Sequence, residues 1–115
     1  MNTVYLDQPA LDELRSILED EFPVLINTYI QDSNLRVREM RNALASGDAL
    51  NLRKAAHSLK GASANLGLLE LTRHCNDMED AARLGVVLHL EGAMLLVEAE
   101  QERAVQILQE QLHRS

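Results

Sequence analysis

The stretch AHSLKGASANLG, residues 56–67, is the part of the sequence around which we expect the other helices to be arranged, because its pattern is that of a buried helix that also carries one reactive side chain. At about 100° per residue, the small and apolar side chains in and just before this stretch fall on one stripe. These side chains are Leu52, Ala55, Leu59, Ala62 and Leu66. His57 points almost directly away from the stripe. We therefore predict a core-facing helix that holds His57 in solvent.

Positive charge surrounds His57 on the exposed face of this helix. Arg53 and Lys54 lie one turn before the histidine, and Lys60 and Gly61 lie one turn after it. Exposed helix faces often carry basic residues without a specific role. Here, however, the only two lysines of the chain both flank the same histidine. The pattern indicates an exposed histidine that is flanked on its helix face by positively charged side chains.

Gly61 and Lys60 indicate what this histidine does. Glycine inside a helix costs roughly 0.5–1 kcal/mol relative to alanine, so Gly61 needs a reason. Without a Cβ one turn after His57, a bulky reacting group can approach the imidazole. The Lys60 ammonium can neutralise part of the charge of a phosphoryl group on the ring. Because the neutral imidazole has a nucleophilic nitrogen, we interpret His57 as a phosphoryl acceptor, the alternative being an exposed histidine of no consequence.

The run from Ala56 to Glu79 resembles the histidine phosphotransfer (HPt) domains of multistep phosphorelays. A His-x-x-Lys-Gly pattern alone is a weak signal, but the full run matches, with small residues at the expected offsets. The matching residues are Ala56, His57, Leu59, Lys60, Gly61, Ser63, Asn65, Leu66, Gly67, Leu71, Cys75 and Glu79. The flanking helical segments also fit, so the resemblance covers nearly the whole chain. It implies an all-α fold, an antiparallel up-down four-helix bundle.

The resemblance also implies a function. The chain is similar to a free-standing phosphotransmitter of a bacterial-type phosphorelay, which relays a phosphoryl group between the receiver-domain aspartates of a hybrid sensor kinase and a response regulator. In that scheme His57 is the nucleophile through Nε2, Lys60 stabilises the phosphoryl group and Gly61 leaves access to the ring. The residues that line the docking face for the receiver domains are Arg53, Lys54 and Ala64.

Cofactors and metals are not expected on the chain itself. The resemblance implies that Mg²⁺ comes from the acidic pocket of the partner receiver domain. Since no Gly-rich phosphate loop or kinase signature appears, we expect a phosphoryl carrier and not an ATP-dependent kinase. His74 and Cys75 are adjacent, so they point about 100° apart on a helix, which is poor geometry for a shared metal. Glu110 and His113 have the spacing of a bundle di-metal motif, but no second copy exists.

Composition limits the fold and the class of partner. The chain has 115 residues, of which 46% are hydrophobic but only 3% aromatic, and this suits one domain of packed helices. Its net charge of −7 argues against nucleic acid as a partner. One cysteine excludes an internal disulfide, and no apolar run reaches the ~18 residues that span a membrane. Residues 1–5 lack the features of a signal peptide, so a cytoplasmic protein is expected.

Capping residues and apolar periodicity predict five helices in one domain, 1–115. Asp7 is a candidate N-cap for the first helix. Gly47 and Asp48 form a compact break, and Gly67 suits a left-handed cap. Such short connections force neighbouring helices to pack antiparallel. The predicted helices are 8–18, 22–45, 49–65, 68–83 and 92–113, with a connection at 84–92; the first is a short extra helix across one end of the bundle.

Structural roles are assigned to the residues that follow His57 in the motif, namely Gly67, Leu71, Cys75 and Glu79. Cys75 lies on an apolar stripe and is expected to be buried and not redox-active. Glu79 is expected to make a structural polar contact, because nothing in the sequence places it beside His57. The polar residues of the last helix are expected to face water mostly: Glu98, Glu100, Gln101, Glu102 and Arg103.

Three interpretations remain open at this point. The chain is a phosphotransmitter, a docking module that binds a receiver or kinase without relaying phosphate, or a helical bundle with a structural role. The intact His57 and the absence of a fused kinase or receiver favour the first. A charged face around one histidine suggests a monomer. The sequence does not identify the partner kinases, the response regulator or the direction of net phosphoryl flow.

Overall fold

The computed structural model describes residues 6–113; residues 1–5, where no signal peptide is expected, lie outside this range. The described chain is helical, and its one β-type contact is an isolated bridge between Leu6 and Leu68. The helices are α1 (Gln8–Leu18), α2 (Phe22–Ser46), α3 (Ala49–Asn65), α4 (Leu69–Arg83) and α5 (Glu91–Leu112), with a 3-10 turn, Glu19–Glu21, before α2. Each helix begins and ends within one residue of the predicted bounds.

Helices α2 to α5 form an antiparallel four-helix bundle, in which α3 packs against α2 and α4, and α5 closes the bundle against the same two helices. The short connection between α2 and α3 explains this arrangement. Gly47 ends α2 in the left-handed conformation at φ 69°, and the Asp48 carboxylate accepts a hydrogen bond of 3.0 Å from the backbone N–H of Asn51. The prediction of an all-α bundle with a short extra N-terminal helix is confirmed.

The apolar stripe of α3 lies in the core as the pattern predicted. Leu52, Ala55, Leu59 and Leu66 are buried, and Ala62 is half-buried against the same cluster. Cys75 on α4 is fully buried. Burial raises the pKa of its thiol to about 12, so the reactive thiolate is absent near neutral pH.

One polar side chain of α5, Gln101, departs from the expectation that these residues mostly face water. Gln101 is buried, and its Nε2 donates hydrogen bonds to Oγ of Ser33 at 2.9 Å and to Oδ1 of Asn34 at 2.7 Å. Glu98 is half-exposed and forms an ion pair with Arg41 on α2 at 2.7 Å. The expectation is therefore wrong for Gln101, because a pattern within one helix does not reveal a polar partner on a neighbouring helix.

The connection between α4 and α5 packs on the bundle only in part. Val87 and Leu90 contact the core, whereas Leu84, Val86 and Leu88 are exposed. No helix within the described part of the chain is long and apolar enough to cross a lipid bilayer.

The segment before α1 is clamped to the end of α3 at Gly67. The backbone N–H of Asp7 donates to the carbonyl oxygen of Gly67 at 2.8 Å, and Gly67 has φ +73°. A Cβ on Gly67 would lie 2.7 Å from Cβ of Asp7 and 3.1 Å from its carbonyl oxygen. Only glycine permits both this backbone conformation and this close approach.

We expect Gly67→Ala to lower the free energy of unfolding more than Gly47→Ala. Gly47 has a similar φ of +69° but open space around it, so its alanine variant loses only about 1 kcal/mol for the left-handed conformation. The Gly67 variant loses about 1 kcal/mol more, because Asp7 must move away. Urea denaturation of both variants measures the difference. Equal losses would show that the contact with Asp7 contributes nothing.

Candidate functional site

His57 lies in the middle of α3, and its side chain is 68% exposed. Its neighbour Ala56 is fully buried, whereas Ser58 is exposed. The helix thus buries one face in the core and presents the imidazole on the other, as the sequence pattern predicted. The ring is available to a reactant from solvent.

Glu79 on α4 lies directly beside His57: Oε2 of Glu79 is 2.9 Å from Nδ1 of the imidazole. The expectation that nothing brings these two residues together is wrong. Helical periodicity places residues around one helix but does not tell which turns of two helices face each other. The tight connection at Leu68 is a sequence feature that predicts this contact. His57 and Glu79 each lie 11 residues from Leu68, and an antiparallel helical hairpin brings such equidistant positions together.

Glu79 also contacts Lys60, whose Nζ lies 2.7 Å from Oε1. The carboxylate is buried, with 11% of its side chain exposed, and burial opposes its ionisation. The interactions with Lys60 and His57 outweigh this effect and lower the pKa of Glu79 below its ordinary value. Glu79 is therefore a buried anion that bridges the histidine and the lysine.

The ionised carboxylate determines which nitrogen of His57 carries the proton. A carboxylate has no proton to donate, so a hydrogen bond to Nδ1 requires that Nδ1 is the donor. In the neutral ring Nε2 then keeps its lone pair. The arrangement therefore holds the imidazole with a nucleophilic Nε2.

Gly61 is exposed one turn after His57, and an added Cβ would meet no atom within 4 Å outside its own helix. Packing therefore does not require a glycine at this position. Side chains on a helix lean towards its N-terminus, so a larger residue at 61 would extend over the turn that carries His57.

A cavity of about 430 Å³ opens beside the imidazole. It lies towards the N-terminal side of α3, and its lining residues are Arg53, Lys54, His57, Ser58 and Glu79. Arg53 is half-buried, and Lys54 is exposed. Ala64, the third residue expected on the docking face, is exposed near the end of α3. No cluster of three or more His, Cys, Asp or Glu side chains that could hold a metal ion occurs within residues 6–113.

We expect Glu79→Gln to destabilise the fold in a pH-dependent way. A carboxylate with a lowered pKa stabilises the folded chain above the ordinary glutamate range, and this contribution is lost as the pH falls through the lowered pKa. The variant should therefore lose on the order of 1 kcal/mol near pH 7, and the difference from wild type should shrink in acid.

Denaturant unfolding at several pH values measures this effect. The control is Glu102→Gln, which removes an exposed carboxylate on α5. A Glu79→Gln difference that stays constant from neutral to acidic pH would contradict the assignment of Glu79 as a stabilising anion.

Comparisons with known proteins match this chain at the level of sequence and of fold. The family model of the Hpt domain matches residues 24–114. The crystal structure of histidine-containing phosphotransfer protein B (HptB) from Pseudomonas aeruginosa PAO1 superposes with a TM-score of 0.89 at 36% sequence identity, covering 96% of this chain and 97% of that one.

A second solved structure, the HPT domain of the Hpt sensor hybrid histidine kinase from Shewanella, has a TM-score of 0.80. It shares 20% sequence identity over 96% of each chain, which shows a common fold. A search of curated proteins found no match. Because the family model and HptB each match most of the chain, the chain belongs to the Hpt domain family.

Proposed function

We propose that the chain relays a phosphoryl group in a phosphorelay, with His57 as the residue that carries it. Membership of the Hpt domain family supports phosphotransfer in a phosphorelay. The observation that supports His57 is its exposed ring, held by Glu79 at 2.9 Å from Nδ1 so that Nε2 is left as the nucleophile. The proposed donor is a receiver-domain aspartyl phosphate of a hybrid sensor kinase, and the proposed acceptor is the receiver aspartate of a response regulator.

The proposed transfer exchanges one bond for another at phosphorus. The lone pair of Nε2 attacks the aspartyl phosphate, an Nε2–P bond forms, the O–P bond breaks, and the aspartate leaves as a carboxylate. The proton on Nδ1 stays in place, and the positive charge that develops on the ring is balanced by Glu79. The reverse sequence delivers the phosphoryl group to the next receiver.

Lys60 and Gly61 have separate roles in this proposal. Lys60 keeps Glu79 ionised and lies one turn after His57, where its ammonium can also contribute positive charge at the phosphoryl group. Gly61 leaves open the space over the turn that carries His57, so that the acidic pocket of a receiver can approach in line with Nε2.

We also propose the oligomeric state of the chain, the source of the Mg²⁺ and the compartment in which the transfer takes place. The chain acts as a monomeric carrier and does not phosphorylate itself from ATP. The Mg²⁺ that neutralises a phosphoaspartate belongs to the receiver domain, whose carboxylates are the ligands that this ion prefers. The exchange takes place in the cytoplasm, with the exposed face of α3 as the docking surface.

We expect His57→Gln to abolish acceptance of phosphate while leaving the fold intact. The wild-type chain, this variant and a His113→Gln control are mixed with a panel of receiver domains that carry labelled phosphoaspartate and Mg²⁺. Label should move to wild type and to the control, as an acid-labile and alkali-stable adduct, but not to His57→Gln. Because the ring is exposed but donates a hydrogen bond to the buried Glu79 carboxylate, its replacement should lower the free energy of unfolding by about 1 kcal/mol and leave the chain folded.

The same experiment separates relay from docking. If no receiver transfers its label to the wild-type chain but one binds it stably, the chain is a docking module that binds a receiver without relaying phosphate. Transfer to His57→Gln at the wild-type rate would exclude His57 as the carrier.

We expect Gly61→Ala to stabilise the fold and to slow the transfer. Alanine in an exposed helix interior with open space around it should add about 0.5–1 kcal/mol to the free energy of unfolding. Its methyl group should obstruct the receiver near His57 and lower the transfer rate about tenfold. The control Gly92→Ala, at the start of α5, should leave the rate unchanged. A Gly61→Ala variant that transfers at the wild-type rate would show that the glycine does not provide access.

A further inference from the structure

The positive charge of Lys60 is already balanced in the folded chain by the carboxylate of Glu79. Its Nζ lies 2.7 Å from Oε1 of Glu79 and 3.4 Å from Oδ1 of Asn76. A phosphoryl group on His57 brings up to two further negative charges close to the Glu79 anion. Lys60 alone therefore leaves most of this negative charge unbalanced, and like charges at such distances repel.

Two other cations lie near His57 without an anionic partner. Within residues 6–113, neither Arg53 nor Lys54 forms an ion pair with a carboxylate, in contrast to the paired Lys60. Arg53 precedes His57 by four residues and Lys54 by three, so both lie one helical turn away on the same face. Their charges are available to an anion that arrives from outside.

The cavity beside His57 lies on the side of these two cations. Arg53 and Lys54 line its wall, whereas Lys60 and Gly61 do not. Because helical side chains lean towards the N-terminus, the imidazole extends over the turn that carries Arg53 and Lys54. Glu79 also lines the cavity and occupies Nδ1, so a negatively charged group on Nε2 is repelled by Glu79 and attracted by the two cations.

We propose that the phosphoryl group on Nε2 of His57 lies in this cavity and is bound by Arg53 and Lys54. The proposal rests on the proposed function of His57 as the phosphoryl carrier. The planar guanidinium of Arg53 can donate two parallel hydrogen bonds to phosphoryl oxygens, and Lys54 adds a compact positive charge. These residues then bind the transferred group itself, beyond any contact with a receiver domain, while Lys60 mainly holds Glu79 in its ionised form.

A phosphodonor without a protein partner tests this assignment, because receiver docking then contributes nothing. The chain is phosphorylated with phosphoramidate: Nε2 attacks phosphorus, the P–N bond of the donor breaks and ammonia leaves. Phosphorus NMR then follows the phosphoryl resonance as the pH is varied, and its midpoint reports the second ionisation of that group. Of the charged groups in the described chain, Arg53, Lys54 and Glu79 line the cavity beside His57, and Lys60 contacts Glu79.

We expect Arg53→Gln and Lys54→Gln each to raise this midpoint by about 0.5 pH units, since a cation within a few ångströms favours the dianion. The double variant should raise it by about one pH unit. The control Arg38→Gln removes an exposed arginine on α2 that does not line the cavity, and it should leave the midpoint unchanged. Thermal unfolding followed by circular dichroism verifies that each variant is folded.

The outcomes separate this inference from the function on which it rests. An unchanged midpoint in the double variant, with a raised midpoint in Lys60→Gln, would overturn the inference and leave His57 as the carrier. Absence of a phosphohistidine at His57 in the wild-type chain would overturn the proposed function, and the inference with it.

Discussion

The hydrogen bond between His57 and Glu79 joins two helices at the point where the chemistry is proposed to occur. It is 2.9 Å long, and it links α3 to α4 across their antiparallel interface. The Glu79 carboxylate is buried, which opposes its ionisation, but its contacts with Lys60 and His57 lower its pKa and keep it ionised. This single contact orients the imidazole, assigns its proton to Nδ1 and leaves Nε2 exposed. Without it, the ring would be an ordinary flexible histidine on a helix surface.

The position of that contact depends on how the hairpin of α3 and α4 is built. Leu52 and Leu59 are fully buried and fix the rotation of α3, so that His57 faces outwards. Gly67 ends α3 in a left-handed conformation and sets the tight connection to α4. The register of the hairpin then brings Glu79 beside His57. The proposed carrier residue, His57, is thus held in solvent by residues that are themselves buried or that form the turn.

The sequence predicted features that lie within one helix and missed those that lie between helices. Helix bounds, the stripe of α3 and the exposure of His57 follow from periodicity and capping, which act over a few residues. The contact of Glu79 with His57 and the burial of Gln101 against Ser33 were missed. Both depend on which turns of neighbouring helices meet, and a polar residue is buried when such a partner exists. The sequence feature that does predict the contact between His57 and Glu79 is the tight connection at Leu68, since both residues lie at the same distance from it along the chain.

The position of the proton on the neutral His57 ring tests whether Glu79 leaves Nε2 free to act as a nucleophile. Nitrogen-15 NMR of the imidazole groups in the unphosphorylated chain, recorded at a pH where the histidines are neutral, distinguishes the two ring nitrogens. We expect a proton on Nδ1 of His57 and a proton-free Nε2, with Glu79 as the acceptor. A proton on Nε2 would contradict it, because that nitrogen would then have no lone pair for a phosphoryl group.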